Sequence, residues 1–314
     1  MRTLHERVGA KRDWETTFSG WAQPPGDSEQ QRCDNAVSAI RNAISRSSKL
    51  NRRAIRVFPQ GSYRNRVNVR RESDVDVGVM CYDAFFSDYP AGKGNADFGN
   101  VDSDYSYGQF KNELEEALID HFGRGAVRRG NKAFDVKETT YHVEADVVPL
   151  FEYRHYYDNG TYLCGVALLP DKGWRIQNYP ERLLDAWPRI NQHYENAVEK
   201  NTATGRAFKG VVRILKSVRN EMDEAGIQAA APICGFLLEC LAWNVPNSCF
   251  SHSTWDARIQ AVLLHLWSNT KDAQQCHEWT EVNDIKYLFR SGQPWTLANT
   301  HAFIDAAWSY IGVR

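Results

Sequence analysis

Two aspartates, Asp74 and Asp76, alternate with Val75, Val77 and Val79 in the stretch 74–79. A period of two sends the carboxylates to one face of a strand and the valines to the other. Same-face neighbours lie roughly 6.5–7 Å apart on a strand, close enough for both side chains to reach one hard cation. Magnesium favours a few carboxylates plus substrate phosphate oxygens over an all-protein cage. Gly61 and Ser62 supply the matching phosphate chemistry, since glycine lets a phosphate approach the backbone and serine adds an N–H and a hydroxyl. A third acid, Asp146, lies in TTYHVEADVVPLFEY, where Val143, Ala145 and Val147 oppose His142, Glu144, Asp146 and Val148. A lone carboxylate in an apolar strand is costly to bury unless it is paired or bound to metal. Alone, Asp146 fits a strand-end cap or an ion pair; beside the other two it fits a metal-nucleotide site.

The elements that must carry these residues follow from periodicity. Residues 1–23 read as helical up to the Pro24-Pro25-Gly26-Asp27 break, and Asp27 or Ser28 is expected to cap a second helix with Ala36, Ile40, Ala43 and Ile44 on one side. Residues 54–59 form a short strand before the Gly-Ser turn. Residues 81–107 lack clear periodicity and predict a long surface excursion. A helix over 107–122 follows, then strands over 126–128, 133–138 and 141–149, and an extended crossing at 174–180, where Pro180 biases Tyr179 away from helix. Helices are expected over 181–200, 203–224, 232–243, 255–269 and from Leu297 onward. In 203–224 the stripe Phe208, Val211, Val212, Leu215, Val218 and Met222 is apolar, while Lys209, Arg213 and Lys216 fall on another face. That face suits either solvent or a triphosphate tail.

The chain has 314 residues, with 42% hydrophobic and 25% charged, enough to build a sizeable core. Lys plus Arg, 38, nearly cancels Asp plus Glu, 39, which excludes a generic nucleic-acid coat and makes any anion site local. No run of about 18 apolar residues or signal-peptide core occurs, so a cytoplasmic protein without a membrane partner is expected. Seven scattered cysteines without a C-x-x-C pair read as reduced thiols. Cys234, Cys240, Cys249 and His252 fit no usual zinc spacing, Ser62 lacks a nucleophile elbow, and there is no P-loop.

The segments QGSYRNRVNVRRESDVDVGV, VRRGNKAFDVKETTYHVEADVV, WRIQNYP, and FKGVVRILKSVRN through FLLECLAWNVPNS resemble the polymerase-beta-like nucleotidyltransferases. They are most similar to the bacterial cGAS/DncV-like nucleotidyltransferases (CD-NTases), E clade, of antiphage cyclic-oligonucleotide signalling (CBASS). The resemblance spans about Phe58 to Phe250. It implies an α+β fold: a nucleotidyltransferase core with a mixed sheet and a C-terminal helical lobe, the active site in the cleft between them. Residues 1–178, with the N-terminal helices, would form the core lobe, and residues 179–314 the helical lobe. The resemblance makes Asp74 and Asp76 the paired metal ligands and Asp146 the third carboxylate, holding two Mg²⁺ ions, with Mn²⁺ as a substitute. It makes Ser62 a triphosphate contact, beside Gly61, and Lys216, with Lys209 second, the phosphate lysine. Asn178 matches an asparagine associated with uracil recognition, although an amide suits uracil and adenine equally by hydrogen-bond counting. Tyr179 could stack on a base or simply pack between lobes.

The implied activity is synthesis of a cyclic dinucleotide from UTP alone or with ATP, by a monomer with no extended nucleic-acid partner, its product read by a separate effector. Two other readings use the same residues. Nucleotidyl transfer onto a tRNA end or a protein hydroxyl would draw on a local patch at Arg64, Arg66, Arg70 and Arg71, and a degenerate protein would only sense nucleotides.

Overall fold

The computed structural model describes residues 12–24, 26–69, 74–178, 192–284, 286–290 and 292–312. The chain divides into two compact units, Pro25–Tyr194 and Met1–Pro24 together with Glu195–Arg314.

The first unit is a seven-stranded sheet with two helices against one face. Its elements are α2 (Asp27–Arg46), β1 (Ile55–Gln60), the four-residue α3 (Gly61–Arg64), β2 (Val75–Asp88), α4 (Tyr107–Phe122), β3 (Val127–Arg129), β4 (Phe134–Val136), β5 (Ala145–Tyr156), β6 (Tyr162–Leu168) and β7 (Ile176–Asn178). The strand order is β1-β2-β5-β4-β3, with β6 pairing β5 and β7 pairing β6. Among the described strands only the β2–β5 pair is parallel, so the sheet is mixed. The long β5 is shared on one edge: residues 145–147 pair with β4 and residues 151–156 with β6.

Alternation decides which face is covered. Val75, Val77, Val79, Ala145, Val147, Phe134 and Val136 join the Ala36, Ile40, Ala43 and Ile44 stripe of α2 and Phe110, Leu114 and Leu118 of α4 in one continuous core. The strand residues between them face the other way. There a smaller apolar cluster of Phe58, Met80 and Leu150 continues the sheet surface, with Tyr82, Val148, Val166 and Leu168 partly buried against it. Gly78 is required in that cluster, because a Cβ would stand 2.6 Å from the Phe58 ring.

Residues 1–11 and 181–191 of the expected helices over 1–23 and 181–200 lie outside the described residues; elsewhere local expectations hold for most elements, with three departures. The surface excursion from Cys81 does not exist in its first part: β2 continues to Asp88, with Cys81 and Ala84 buried. A bulge between Cys81 and Phe85 shifts the alternation, so the second half of the strand is out of phase with the first and its period is hidden in the sequence. Residues 141–144 lie outside β5, which instead runs on to Tyr156. The N-cap of α2 is Gly26, not Asp27 or Ser28; Asp27 and Glu29 occupy the first turn, where the helix dipole favours acids.

The second unit is helical: α1 (Trp14–Trp21), α5 (Gln192–Ala203), α6 (Ala207–Glu224), α7 (Gly235–Trp243), α8 (Trp255–Thr270) and α9 (Leu297–Ile311). Here α6 is central, with Phe208, Val211, Val212, Ile214, Leu215, Val218 and Met222 all buried. Gly210 lets α8 pack close, since a Cβ there would meet the Trp255 ring at 2.4 Å. The division differs from the expected one at both ends. The helix α1 groups with the helical unit, where Trp14 stacks on Phe18 at 5.1 Å and meets Tyr310 of α9 at 6.0 Å. Arg213 of α6 donates to the Ala22 carbonyl just past its end, at 2.9 Å from Nε. At the other end the compact sheet unit extends to Tyr194, beyond residue 178.

Candidate active site

The strand registers place five residues in one lateral row. Gln60 of β1 stands opposite Asp76 of β2, Asp76 opposite Asp146 of β5, Asp146 opposite Asp135 of β4, and Asp135 opposite Arg128 of β3. Neighbouring strands lie about 4.8 Å apart, so three carboxylates from three adjacent strands stand shoulder to shoulder. All three lie on the face opposite the helices, because their strand neighbours are in the core. Asp74, just before β2, is exposed. The row brings together two acids whose sequence positions are seventy residues apart.

Asp135 was not among the expected site residues. The signal was present, however: Phe134 and Val136 flank it as Val75 and Val77 flank Asp76. The Arg128 Nε donates to Asp135 Oδ2 at 2.6 Å from the edge of the row. For Asp146, burial, then the negative charges of Asp135, Asp76 and Asp74, and a hydrogen bond with Asp135, push its carboxyl from 3.8 up to about 6. A row of carboxylates this close together suits a hard divalent cation, and the donors are all the oxygen type such a cation takes. Among the described residues no three such side chains are already converged as a metal cage, so rotamer changes at the acids would accompany cation binding.

The Gly-Ser turn abuts the row. Gly61, which follows Gln60 at the end of β1, adopts a left-handed φ of +67°, and a Cβ there would lie 2.0 Å from Asp76 Oδ2. The bare glycine backbone therefore touches the carboxylate that only glycine can accommodate. Ser62 is half-buried beside it. The turn is anchored from behind, where the buried Tyr63 hydroxyl bonds Asp34 Oδ1 of α2 at 2.8 Å, and Val67 N–H donates to the Ser62 carbonyl at 3.0 Å.

The remaining expected residues fall elsewhere. Asn178 ends β7, where its backbone pairs with Val166, which in turn pairs with Glu152. It therefore sits two strands over and six β5 residues from Asp146, roughly 20 Å along the strand direction. The apolar floor of Val148, Leu150, Met80 and Leu168 lies in the intervening rows. Tyr179, Arg70 and Arg71 lie outside the described residues, while Arg66 is exposed in a left-handed turn. Lys209 and Lys216 lie on α6 in the helical unit, and both are buried, at 9% and 2% exposure. The solvated-face reading of the basic stripe is therefore wrong: α6 is enclosed on nearly all sides, and Arg213 is occupied by the Ala22 carbonyl.

Comparison with known proteins gives a consistent picture. Residues 195–312 match the cGAS/DncV-like nucleotidyltransferase C-terminal helical domain, beginning where the second segment of the helical unit begins. A cyclic dipyrimidine nucleotide synthase, CdnE, from Cecembia lonarensis is 39% identical over 95% of this chain and 98% of its own length. The cyclic dipyrimidine nucleotide synthase CdnE of Legionella pneumophila is 40% identical with the same coverage. The structure of the Rhodothermus marinus CdnE c-UMP-AMP synthase, with Apcpp and Upnpp, superposes with a TM-score of 0.77 at 30% identity, covering 96% of this chain and 98% of that one.

Proposed function

Because this chain belongs to the cGAS/DncV-like nucleotidyltransferase family, we propose that it condenses nucleoside triphosphates, UTP alone or with ATP, into a cyclic dinucleotide with release of pyrophosphate. The observation that carries this reading is the acid row, with Asp76 opposite Asp146 and in contact range of the Gly61 backbone. Asp74, Asp76 and Asp146 would hold two Mg²⁺ ions, with Mn²⁺ as a substitute, which neutralise charge on the attacking and leaving oxygens of an in-line displacement. Gly61 admits a phosphate to the backbone, and Ser62 donates to it from its N–H and hydroxyl. Lys216, with Lys209 second, takes the triphosphate charge as a point cation. Asn178 reads the base through its amide and Tyr179 stacks on it. The preference for a pyrimidine rests on the two relatives named dipyrimidine synthases and on the match of Asn178, since an amide alone does not separate uracil from adenine. Acids and asparagine stand too far apart to serve one atom, which fits metal chemistry at one end of a nucleotide and base reading at the other. In the cell the enzyme works as a cytoplasmic monomer in antiphage defence, its product read by a separate effector. Among the described residues no helix is long and apolar enough to cross a membrane.

The test is incubation of the purified protein with each labelled triphosphate, singly and in pairs, with Mg²⁺ or Mn²⁺. A small product that resists nuclease P1, formed with pyrophosphate release and dependent on UTP, is expected. Asp74→Asn with Asp76→Asn should abolish it while leaving the circular dichroism unchanged. Label retained in macromolecular precipitate would instead indicate transfer onto a nucleic acid or protein, and tight nucleotide binding without turnover would indicate a sensor. Turnover by the double variant would overturn the metal assignment.

A further inference from the structure

The strand that carries Asn178 makes few backbone bonds within its sheet, and Arg175, just before it, pairs with Asp88 at the end of β2 at 2.5 Å. Among the described strands β7 pairs with β6 alone, through three residue pairs, and a short two-stranded edge is marginal by itself. The connection from β6 to β7 contains Pro170-Asp171-Lys172-Gly173, a sequence that could close a hairpin as an ordinary solvated turn. It is instead fastened to a third element. Asp171 receives two parallel hydrogen bonds from the Arg129 guanidinium of β3, Nε to Oδ2 at 2.8 Å and Nη2 to Oδ1 at 2.8 Å. It also pairs with Lys111 Nζ of α4 at 3.0 Å, and the Lys111 side chain is 1% exposed. Arg129 is held from behind by Glu115 of α4 at 2.7 Å. The backbone is tied as well: Asp171 N–H donates to the Asn131 carbonyl at 2.9 Å, Lys172 N–H to Asn131 Oδ1 at 2.7 Å, and Asn131 Nδ2 to the Lys172 carbonyl at 3.1 Å.

The identity of the anchor matters. Asn131 lies at the tip of the β3–β4 hairpin, the same hairpin that contributes Arg128 and Asp135 to the acid row. A bidentate guanidinium–carboxylate pair fixes orientation as well as distance, and burying a lysine is costly unless its geometry is exacting. These are devices for holding a position, beyond what reversing the chain requires.

We propose that the Arg129–Asp171–Lys111 clamp is a specificity-determining positioning device, which fixes β7, and with it Asn178, to the frame that carries the acid row. The clamp residues touch no substrate; they act by keeping the base-reading amide at a set place relative to the reacting end. This rests on the reading of Asn178 as the residue that recognises the base. Loosening the clamp lets β7 shift, so the correct base loses its advantage while the acids remain intact.

The experiment is steady-state kinetics with UTP and ATP, each titrated against the other, on Asp171→Asn and Arg129→Lys, with Asn178→Ala in parallel. Asp171→Asn keeps the shape and removes the charge, whereas Arg129→Lys keeps the charge and removes the fork. A misplacement of about 1 Å can cost up to roughly a hundredfold, so both clamp variants are expected to raise the KM for UTP about tenfold and to flatten base preference, with kcat within a few-fold. A loss of activity proportional to the loss of folded protein, with KM and preference unchanged, would make the clamp purely structural and overturn the proposal. If Asp171→Asn does not fold, Arg129→Lys is judged by the same two criteria. Should Asn178→Ala leave base preference intact, the reading of Asn178 fails; should it alter preference while neither clamp variant does, the clamp inference fails alone.

Discussion

Asp146 shows how one residue's environment states what it lacks. Its carboxyl is pushed up to about 6 chiefly by burial, then by three neighbouring acids, so ionising it in the metal-free protein works against folding. A folded-state value raised above the ordinary 3.8 means that its stabilising contribution is present below that value and is lost as pH rises through about 6. In chelator, Asp146→Asn should therefore melt higher than the parent near neutral pH, and the gap should close as pH falls below the ordinary carboxylate range. Differential scanning fluorimetry across that window decides it, and a parent that melts at or above the variant near neutral pH would show that burial and repulsion cost the ionised Asp146 nothing. Adding Mg²⁺ should raise the parent's Tm and not the variant's, since a ligand that binds only the folded state stabilises it. The three acids were legible in sequence because each interrupts an apolar alternation. Asp135 obeys the same rule in a strand of only three residues, where alternation is too short to stand out.

The β1–turn–β2 unit couples two functions through one missing Cβ. At Gly61 a side chain would require both a left-handed backbone and room already filled by Asp76. Gly61→Ala should cost about 1–2 kcal/mol through the backbone alone. It should also lower kcat roughly a hundredfold, because it displaces the carboxylate. Thermal melts and turnover with saturating triphosphate check both parts, and a variant with parental kcat would disprove the contact's importance. Elements with clean 3.6-residue stripes were readable to within a few residues: the helix expected over 203–224 is Ala207–Glu224. The second half of β2 was not, because the bulge after Cys81 changes which face each residue occupies, and a period interrupted midway resembles none. The clamp at Asp171 was equally invisible, since its partners come from β3 and α4, 42 and 60 residues earlier in the chain.

For the molecule as a whole, the proposed site residues are divided between the two units. The acids, the Gly-Ser turn and Asn178 belong to the sheet unit, and Lys209 and Lys216 to the helical one. A phosphate contact is common to every nucleotide, so Lys216→Met, which retains bulk, should raise KM for each triphosphate by roughly tenfold or more while leaving base preference unchanged, as expected for a charged hydrogen bond worth about 1.5–3 kcal/mol. Unchanged KM values with a lowered Tm would assign Lys216 to packing only. The helical half was predictable because it is periodic, but the allegiance of α1 was not. A short aromatic helix carries no local record of which core will receive it, and Trp14 and Phe18 suit either.

The parallel pairing of β2 with β5 also has a temporal meaning. Asp76 and Asp146, seventy residues apart, become neighbours only when the chain between them has closed a loop, and such non-local pairings are slow to form. A nascent or truncated polypeptide that stops before β5 carries the Gly-Ser turn and two acids but lacks the third. Because β5 pairs with β2, β4 and β6, the strand that delivers the third acid also ties the two sides of the sheet together, so a chain cut short of it lacks both the acid and its central strand.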